Sequence, residues 1–207
     1  MLNLFYYTGG IAQTNAWIWQ TPAGPVLVDA PEGVADWLAR RKLHPVALLL
    51  THQHFDHVMD VATVKERFGC PVYAFAGYSR RLTLEDLFGM ATGTPMSVPA
   101  YEVDHVLEGE SGVEVAGIWF DIKHVPGHSP DSICFHAAGD KLLFGGDVLF
   151  ADSVGRTDFP GGSSQLLLAG IAEKILTLPD DTRVLPGHGP DTTIGEERLN
   201  NGFLQDL

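Results

Sequence analysis

The chain has 207 residues, 45% of them apolar, and a formal net charge of −13. The apolar share can fill a sizeable core, which argues against disorder, and the length suits a single domain over 1–207. The acidic field disfavours nucleic acid as a partner, and no apolar run approaches the roughly 20 residues of a membrane span.

Apolar and aromatic patterning predicts strands over 2–7, 16–20 and 26–29, with a turn at 21–25. Helical spacing of Val34, Trp37, Leu38 and Arg41 predicts a helix over 33–42. The run 46–50 is wholly apolar and suits a strand covered on both faces. Val58, Val61, Val64 and Phe68 mark one face of a second helix, ended by Gly69, and 71–76 reads as another strand. Residues 77–110 are the least legible; 80–90 has helical character and the rest reads as an irregular loop of the kind that shapes pockets. Strand patterning returns at 113–115, 119–125, 132–136 and 141–144. A helix over 166–178, capped by Ser163 or Ser164, a strand at 183–185 and a helix at 196–204 complete the chain. Strands and helices alternate in the way a two-sheet core with outer helices requires.

Cys70 and Cys134 are too few for a disulfide framework and read as buried thiols in a reducing compartment. The amino-terminal MLNLFYYTGG lacks the basic and apolar regions of a signal peptide, so the expected location is cytoplasmic. There is no GxGxxG, Walker A loop or GxSxG, and Trp17, Trp19 and Trp119 read as core aromatics.

The chemistry concentrates elsewhere. Residues 51–57 read THQHFDH, directly after the buried run 46–50. His128 in HVPGHSP, Asp147 in FGGDVLF and His188 in VLPGHGP each stand where a predicted strand runs out into a glycine-containing turn. Chain ends on one edge of a sheet can converge on one point. Imidazole and carboxylate suit Zn²⁺, Fe²⁺ and Mn²⁺, and the absence of thiolate ligands argues against a closed structural zinc site. His52, His54, Asp56, His57, His128, Asp147 and His188 are too many for one tetrahedral ion and suit two that share a bridge and keep a water. In an extended turn His52 and His54 point the same way, while Asp56 and His57 open the helix and can face a second ion. A carboxylate bridges two metals where an imidazole cannot, so Asp147 is the natural bridge. Burying four such groups in 52–57 without a metal would be costly. His44, His105, His124 and His136 read as ordinary surface or core residues.

The HxHxDH motif, followed by a glycine-flanked histidine, an aspartate and a last histidine, resembles the metallo-β-lactamase superfamily over nearly the whole chain. Asp147, where the true β-lactamases have a cysteine, and His57 directly after Asp56 look like the hydroxyacylglutathione hydrolase (glyoxalase II) branch. The stretches GGDVLFADSVGRTDFPGG and TLPDDTRVLPGHGPDTTIGEER resemble its short, one-domain bacterial members. The resemblance implies an α/β (α+β) fold of the four-layer αββα type and two divalent ions, zinc foremost with iron or manganese as alternatives. It puts His52, His54 and His128 on one ion, Asp56, His57 and His188 on the other, and Asp147 between them. The implied reaction is hydrolysis of a thioester by a metal-bridging hydroxide, with Asp56 also orienting the attacking group. The expected partner is a small-molecule thioester, glutathione-derived in the related enzymes, with no nucleic acid and no membrane.

Two departures bear on specificity. The helical domain that holds glutathione in the longer enzymes has no counterpart in this sequence, and a family lysine and tyrosine are replaced by Arg156 and Asp158 in GRTDF. Arg156 is a candidate for pairing with a substrate carboxylate; the alternative is a surface pair with Asp158. GRTDF also resembles the persulfide dioxygenases, which would bind one iron through His52, His128 and Asp147; PGHGP at 186–190 leans toward the hydrolases. A lactonase would use the same metal core.

Overall fold

The computed structural model describes residues 3–205, and the chain divides into two compact units, Met1–Glu108 and Gly109–Leu207. The first contains β1 (Leu4–Gly9), β2 (Thr14–Thr21), β3 (Gly24–Val28), α1 (Val34–Arg41), β4 (Ala47–Leu49), α2 (Phe55–Val58), α3 (Val61–Phe68), β5 (Val72–Ala74), α4 (Arg80–Thr83), α5 (Glu85–Thr92) and β6 (His105–Val106). Its six strands lie in chain order, antiparallel from β1 to β3 and parallel from β3 to β6. Ile18, Leu27 and Leu48 pack against Val34, Ala35 and Leu38 of α1 and Val61 and Val64 of α3. The alternate residues Trp17, Trp19, Val26, Val28 and Leu49 are buried as well. Burial on both faces explains why these strands read as continuous apolar runs; each buried Leu or Ile contributes about 1.5–3 kcal/mol.

The predicted strand 2–7 is observed from Leu4 onward; Leu2 lies outside the described residues. The helix predicted through Val58 and Phe68 is divided between α2 and α3. The His57 carbonyl accepts from the Ala30 amide and the Asp60 amide donates to the Ala30 carbonyl, so the loop after β3 takes backbone bonds that a continuous helix would use internally. The half-buried Asp60 carboxylate accepts from the Ala35 amide at 3.0 Å, and its partial burial raises its pKa. The helix predicted over 80–90 is likewise broken, at Leu84, whose φ is 55°.

The second unit contains β7 (Gly112–Val115), β8 (Ile118–His124), β9 (Ile133–Ala137), β10 (Leu142–Gly146), β11 (Leu149–Phe150), β12 (Ser153–Val154), α6 (Ser164–Gly170), β13 (Arg183–Pro186), β14 (Thr192–Thr193) and α7 (Ile194–Asn200). The sheet order is β14-β13-β10-β9-β8-β7, with β11 and β12 as a separate ribbon. Its strands β10 and β13 are parallel, whereas β9 is antiparallel to both β8 and β10. Hence β8, β10 and β13 all end at the same edge. Cys134, Leu143 and Val184 pack with Leu167, Ile171, Ile175 and Ile194.

Ser163 is the cap of α6, its hydroxyl accepting from the Leu166 amide at 3.3 Å, a contact worth about 1 kcal/mol. The helix then widens into a π-helical turn over Ile171–Ile175 instead of running to 178. Trp119, expected in the core, is 58% exposed. Its indole lies across Gly112 of edge strand β7 and donates to Asp121 at 3.0 Å. Both cysteines are buried free thiols; burial pushes Cys70 up to about 11 and Cys134 up to about 12, which leaves them unreactive.

Candidate metal centre

In the first unit the ligand-type residues follow β4, and the parallel neighbour β3 ends beside them. His52, His54 and His57 are buried, with ring centroids 4.6 Å apart for His52–His54 and 4.1 Å for His52–His57. Alternation along the extended 51–54 segment brings the first two rings to one side. The first turn of α2 adds Asp56, whose Oδ2 lies 3.5 Å from His57 Nε2.

In the second unit the three strand ends that share an edge deliver the other three residues. Asp147 Oδ2 lies 3.4 Å from His128 Nε2 and 3.3 Å from His188 Nε2. Pairing of Gly146 with Pro186 across β10 and β13 sets Asp147 and His188 side by side. Two glycines make the approach of His128 possible. Gly127 has φ +138°, and a Cβ there would stand 2.5 Å from the Leu167 amide nitrogen. A Cβ on Gly155 would stand 2.0 Å from the Asp147 carbonyl oxygen and 3.2 Å from His128 Cβ.

Hydrogen bonding on the far side of each ring fixes which nitrogen carries the proton. Asp29, directly after β3, is buried and accepts from the Thr51 amide at 2.8 Å and from the Thr51 hydroxyl at 2.8 Å. The same Oδ2 accepts from His57 Nδ1 at 2.9 Å. Since the Thr51 hydroxyl gives its proton to Asp29, its lone pair faces His52 Nδ1 at 3.2 Å and accepts from it. His128 Nδ1 donates to the Arg156 carbonyl at 2.8 Å. In all three rings the proton therefore sits on Nδ1 and the lone pair on Nε2. For His57 and His128 that lone pair is directed at a carboxylate oxygen. Acceptor facing acceptor at such distances is repulsive unless a proton or a metal cation lies between them, and the donor chemistry of both sets fits divalent ions.

Thr14 on β2, fully buried, donates to Asp56 Oδ2 at 2.6 Å. Thr14→Val keeps the shape and removes this bond. It is expected to lower metal affinity by about tenfold or more, with Thr14→Ser retaining it, as measured by competition with a chromogenic chelator.

Arg156 forms a two-pronged pair with Asp158, at 2.7 and 2.6 Å, and its guanidinium lies 4.1 Å over the Phe159 ring. The Arg156 hydrogen bonds hold the Asp158 carboxyl down to about 2. The four histidines expected to be ordinary join neither set: His44 meets Phe68 edge-on, His105 stacks on Tyr73, His124 bonds the Pro130 carbonyl and His136 faces Asp121. Burial lowers the His136 pKa, with Asp121 opposing.

Asp29 and Thr14 were missed from sequence. Asp29 obeys the rule that picked out Asp147, a carboxylate at the end of an apolar strand, and the rule should have been applied to it. Thr14 carries no local signal; it lies 42 positions from Asp56.

The family described as the metallo-beta-lactamase superfamily matches residues 9–188. The hydroxyacylglutathione hydrolase GloC of Haemophilus influenzae is 36% identical over 199 residues, covering 93% of this chain and 92% of that protein. Among solved structures, that of the BLEG-1 B3 metallo-beta-lactamase is 41% identical with a TM-score of 0.87, covering 98% of this chain and 99% of that one. TTHA1623 in a di-iron-bound form is 40% identical with a TM-score of 0.82, covering 97% of this chain and all (100%) of that one. The α/β fold with two sheets and helices agrees with this match. The chain belongs to the metallo-beta-lactamase superfamily.

Proposed function

We propose that this member of a metal-dependent hydrolase superfamily is a dinuclear enzyme that cleaves a thioester of the hydroxyacylglutathione kind. The observation that carries the reading is Asp147, one of whose carboxylate oxygens is approached by Nε2 atoms from two different strand ends. That is the arrangement a bridging ligand requires. In this reading His52, His54 and His128 hold one ion, Asp56, His57 and His188 the other, and Asp147 both. The ions are zinc foremost; the di-iron form of TTHA1623 supports two ions per chain and keeps iron as an alternative. The name of the similar GloC protein supports the substrate class.

Bound ions would supply a water acidic enough to ionise near pH 7 and charge to stabilise the developing oxyanion. The chain's own part is to orient. Thr14 holds the Asp56 carboxylate, which as catalytic residue directs the attacking water at the thioester carbon. The exposed Arg156–Asp158 pair is of a type worth about 0–1 kcal/mol, so Arg156 can exchange Asp158 for a substrate carboxylate. Among the described residues no helix is long and apolar enough to cross a membrane, and a cytoplasmic small-molecule substrate is part of the proposal.

Protein purified without chelator is expected to hold about two ions per chain and to turn over S-lactoylglutathione. A second reading, a mono-iron persulfide dioxygenase, is favoured by the GRTDF segment, whose Arg156 carbonyl orients His128. About one iron per chain, oxygen uptake on glutathione persulfide and no thioester cleavage would establish that reading and overturn the first. A homoserine lactone and nitrocefin, tested in parallel, separate the lactonase and β-lactamase activities of the superfamily from thioester cleavage.

A further inference from the structure

Hairpin β11–β12 touches all three ligand-type residues of the second unit. Leu149 pairs with Val154 and Phe150 with Ser153, and the Gly155 amide donates to the Val148 carbonyl at 3.2 Å. The next residues outward are Asp147 on one arm and Arg156 on the other. Asp147 supplies the carboxylate, and the Arg156 carbonyl accepts from His128 Nδ1 at 2.8 Å. The Phe150 ring, within the hairpin, meets the His188 ring edge-on at 6.2 Å. A displaced hairpin would therefore move one ligand directly, loosen the orientation of a second and change the packing of the third.

The hairpin cannot hold that place alone. Each of its strands has two residues, and an isolated two-stranded ribbon is marginal even when longer. Val148 and Leu149 fix its base in the core with Val184 and Ile194. Its tip is held by side chains of α7 and of the residue that ends it. Glu197, 1% exposed, accepts from the Asp152 amide at 2.9 Å, where Asp152 turns the chain with φ 57°. Asn201, fully buried, donates to the Ser153 carbonyl at 3.1 Å and to the same Glu197 Oε2 at 2.8 Å. The other oxygen, Oε1, accepts from the Thr192 hydroxyl at 2.6 Å.

Resting on the dinuclear reading for the ions themselves, we infer that Glu197 is a positioning residue of the metal centre: with Asn201 it grips the tip of β11–β12 and so sets Asp147 against His128. Glu197 and Asn201 act through the hairpin and not on the reacting atoms. The two oxygens of Glu197 divide the work. Oε2 faces the hairpin, and Oε1 faces Thr192 of β14.

That division supplies the test. Glu197→Met removes every bond, Thr192→Val removes only the one that does not reach the hairpin, and Glu197→Gln can keep all three, because the Thr192 hydroxyl can turn to accept from the new amide. Glu197→Met and Thr192→Val both strand buried polar groups, so both are expected to lower the melting temperature. Zinc affinity, measured by competition with a chromogenic chelator, should fall about tenfold in Glu197→Met and stay within about twofold in Thr192→Val and about threefold in Glu197→Gln. In the metal-free protein the His128 Nδ1 proton should exchange with solvent at least about tenfold faster in Glu197→Met, as its bond to the Arg156 carbonyl loosens. Should Glu197→Met not fold, Asn201→Ala, which frees Ser153 and leaves Asp152 held, is expected to shift both readouts the same way by about threefold. Equal losses of zinc affinity in Glu197→Met and Thr192→Val, or an unchanged His128 proton in Glu197→Met, would overturn the positioning role. The exchange measurement needs no metal, so a chain that binds one iron and cleaves no thioester would overturn the proposed function and leave this inference to be decided by the His128 proton.

Discussion

Asp147→Ala is expected to leave a folded chain that neither retains metal nor cleaves thioester, with kcat lower by on the order of 10³-fold. The carboxylate stands between His128 and His188, and its removal takes away the one group placed to address both. A structural role and a ligand role predict different stabilities. If Asp147 served only to hold two histidines, its loss would destabilise the metal-free protein. As a ligand it is a buried carboxylate facing the His128 lone pair, so in the metal-free state its loss relieves desolvation and that repulsion. The melting temperature of the metal-free variant should therefore equal or exceed that of the unaltered metal-free protein, while metal content measured by mass spectrometry collapses. Full metal content in the variant would show that Asp147 is not the bridge.

Much of the candidate site was legible because its chemistry is written in single residues at strand ends. An apolar run buried on both faces cannot continue into His-Gln-His without something to bind those groups, and β4 ends where this sequence says it must. Asp147 and His188 were equally readable, since a glycine turn after a short strand leaves few places for a side chain to go. The parallel pairing of β10 and β13 that sets them side by side was not readable, because strand order is settled by packing between distant segments. The two-residue strands β6, β11, β12 and β14 escaped for a related reason. They carry no period of their own and exist only through their partners.

Element boundaries failed where tertiary bonds outcompeted local propensity. Val58 and Phe68 do lie at helical spacing, yet the backbone between α2 and α3 is captured by Ala30. At Leu84 a leucine adopts a left-handed conformation that its propensity disfavours; the following Glu85, buried against the Val98 amide and Arg80, holds the break in place. Trp119 lies outside the core because apolarity does not set position: it pairs with Glu114 of edge strand β7, and its indole reaches over Gly112, which has no side chain to displace it, and still meets solvent.

The second large effect is expected at Asp29, the residue whose importance emerged only with the structure. Asp29→Asn preserves size and tolerates the positive φ of 60° at this position, so the backbone need not move. What changes is the hydrogen-bond polarity. Asp29 accepts from the Thr51 amide, the Thr51 hydroxyl and His57 Nδ1, and an amide nitrogen in place of Oδ2 would confront two of those donors with a third. The cheapest relief is for His57 to move its proton to Nε2, which removes the lone pair from the side facing Asp56. Metal affinity should fall by about 10–100-fold. The lost charge-assisted bonds should cost about 1.5–3 kcal/mol, or roughly 3–12 °C in melting temperature for a chain of this size. Nitrogen-15 spectra of the histidine rings should show the proton change directly. Thr51→Val provides the graded comparison: it removes the acceptor for His52 Nδ1 but leaves the His57–Asp29 bond. It is therefore expected to weaken the ion held by His52 while sparing the one held by His57. If Asp29→Asn binds metal as tightly as the unaltered protein, or Thr51→Val weakens both ions alike, the proton arrangement derived for these rings is wrong.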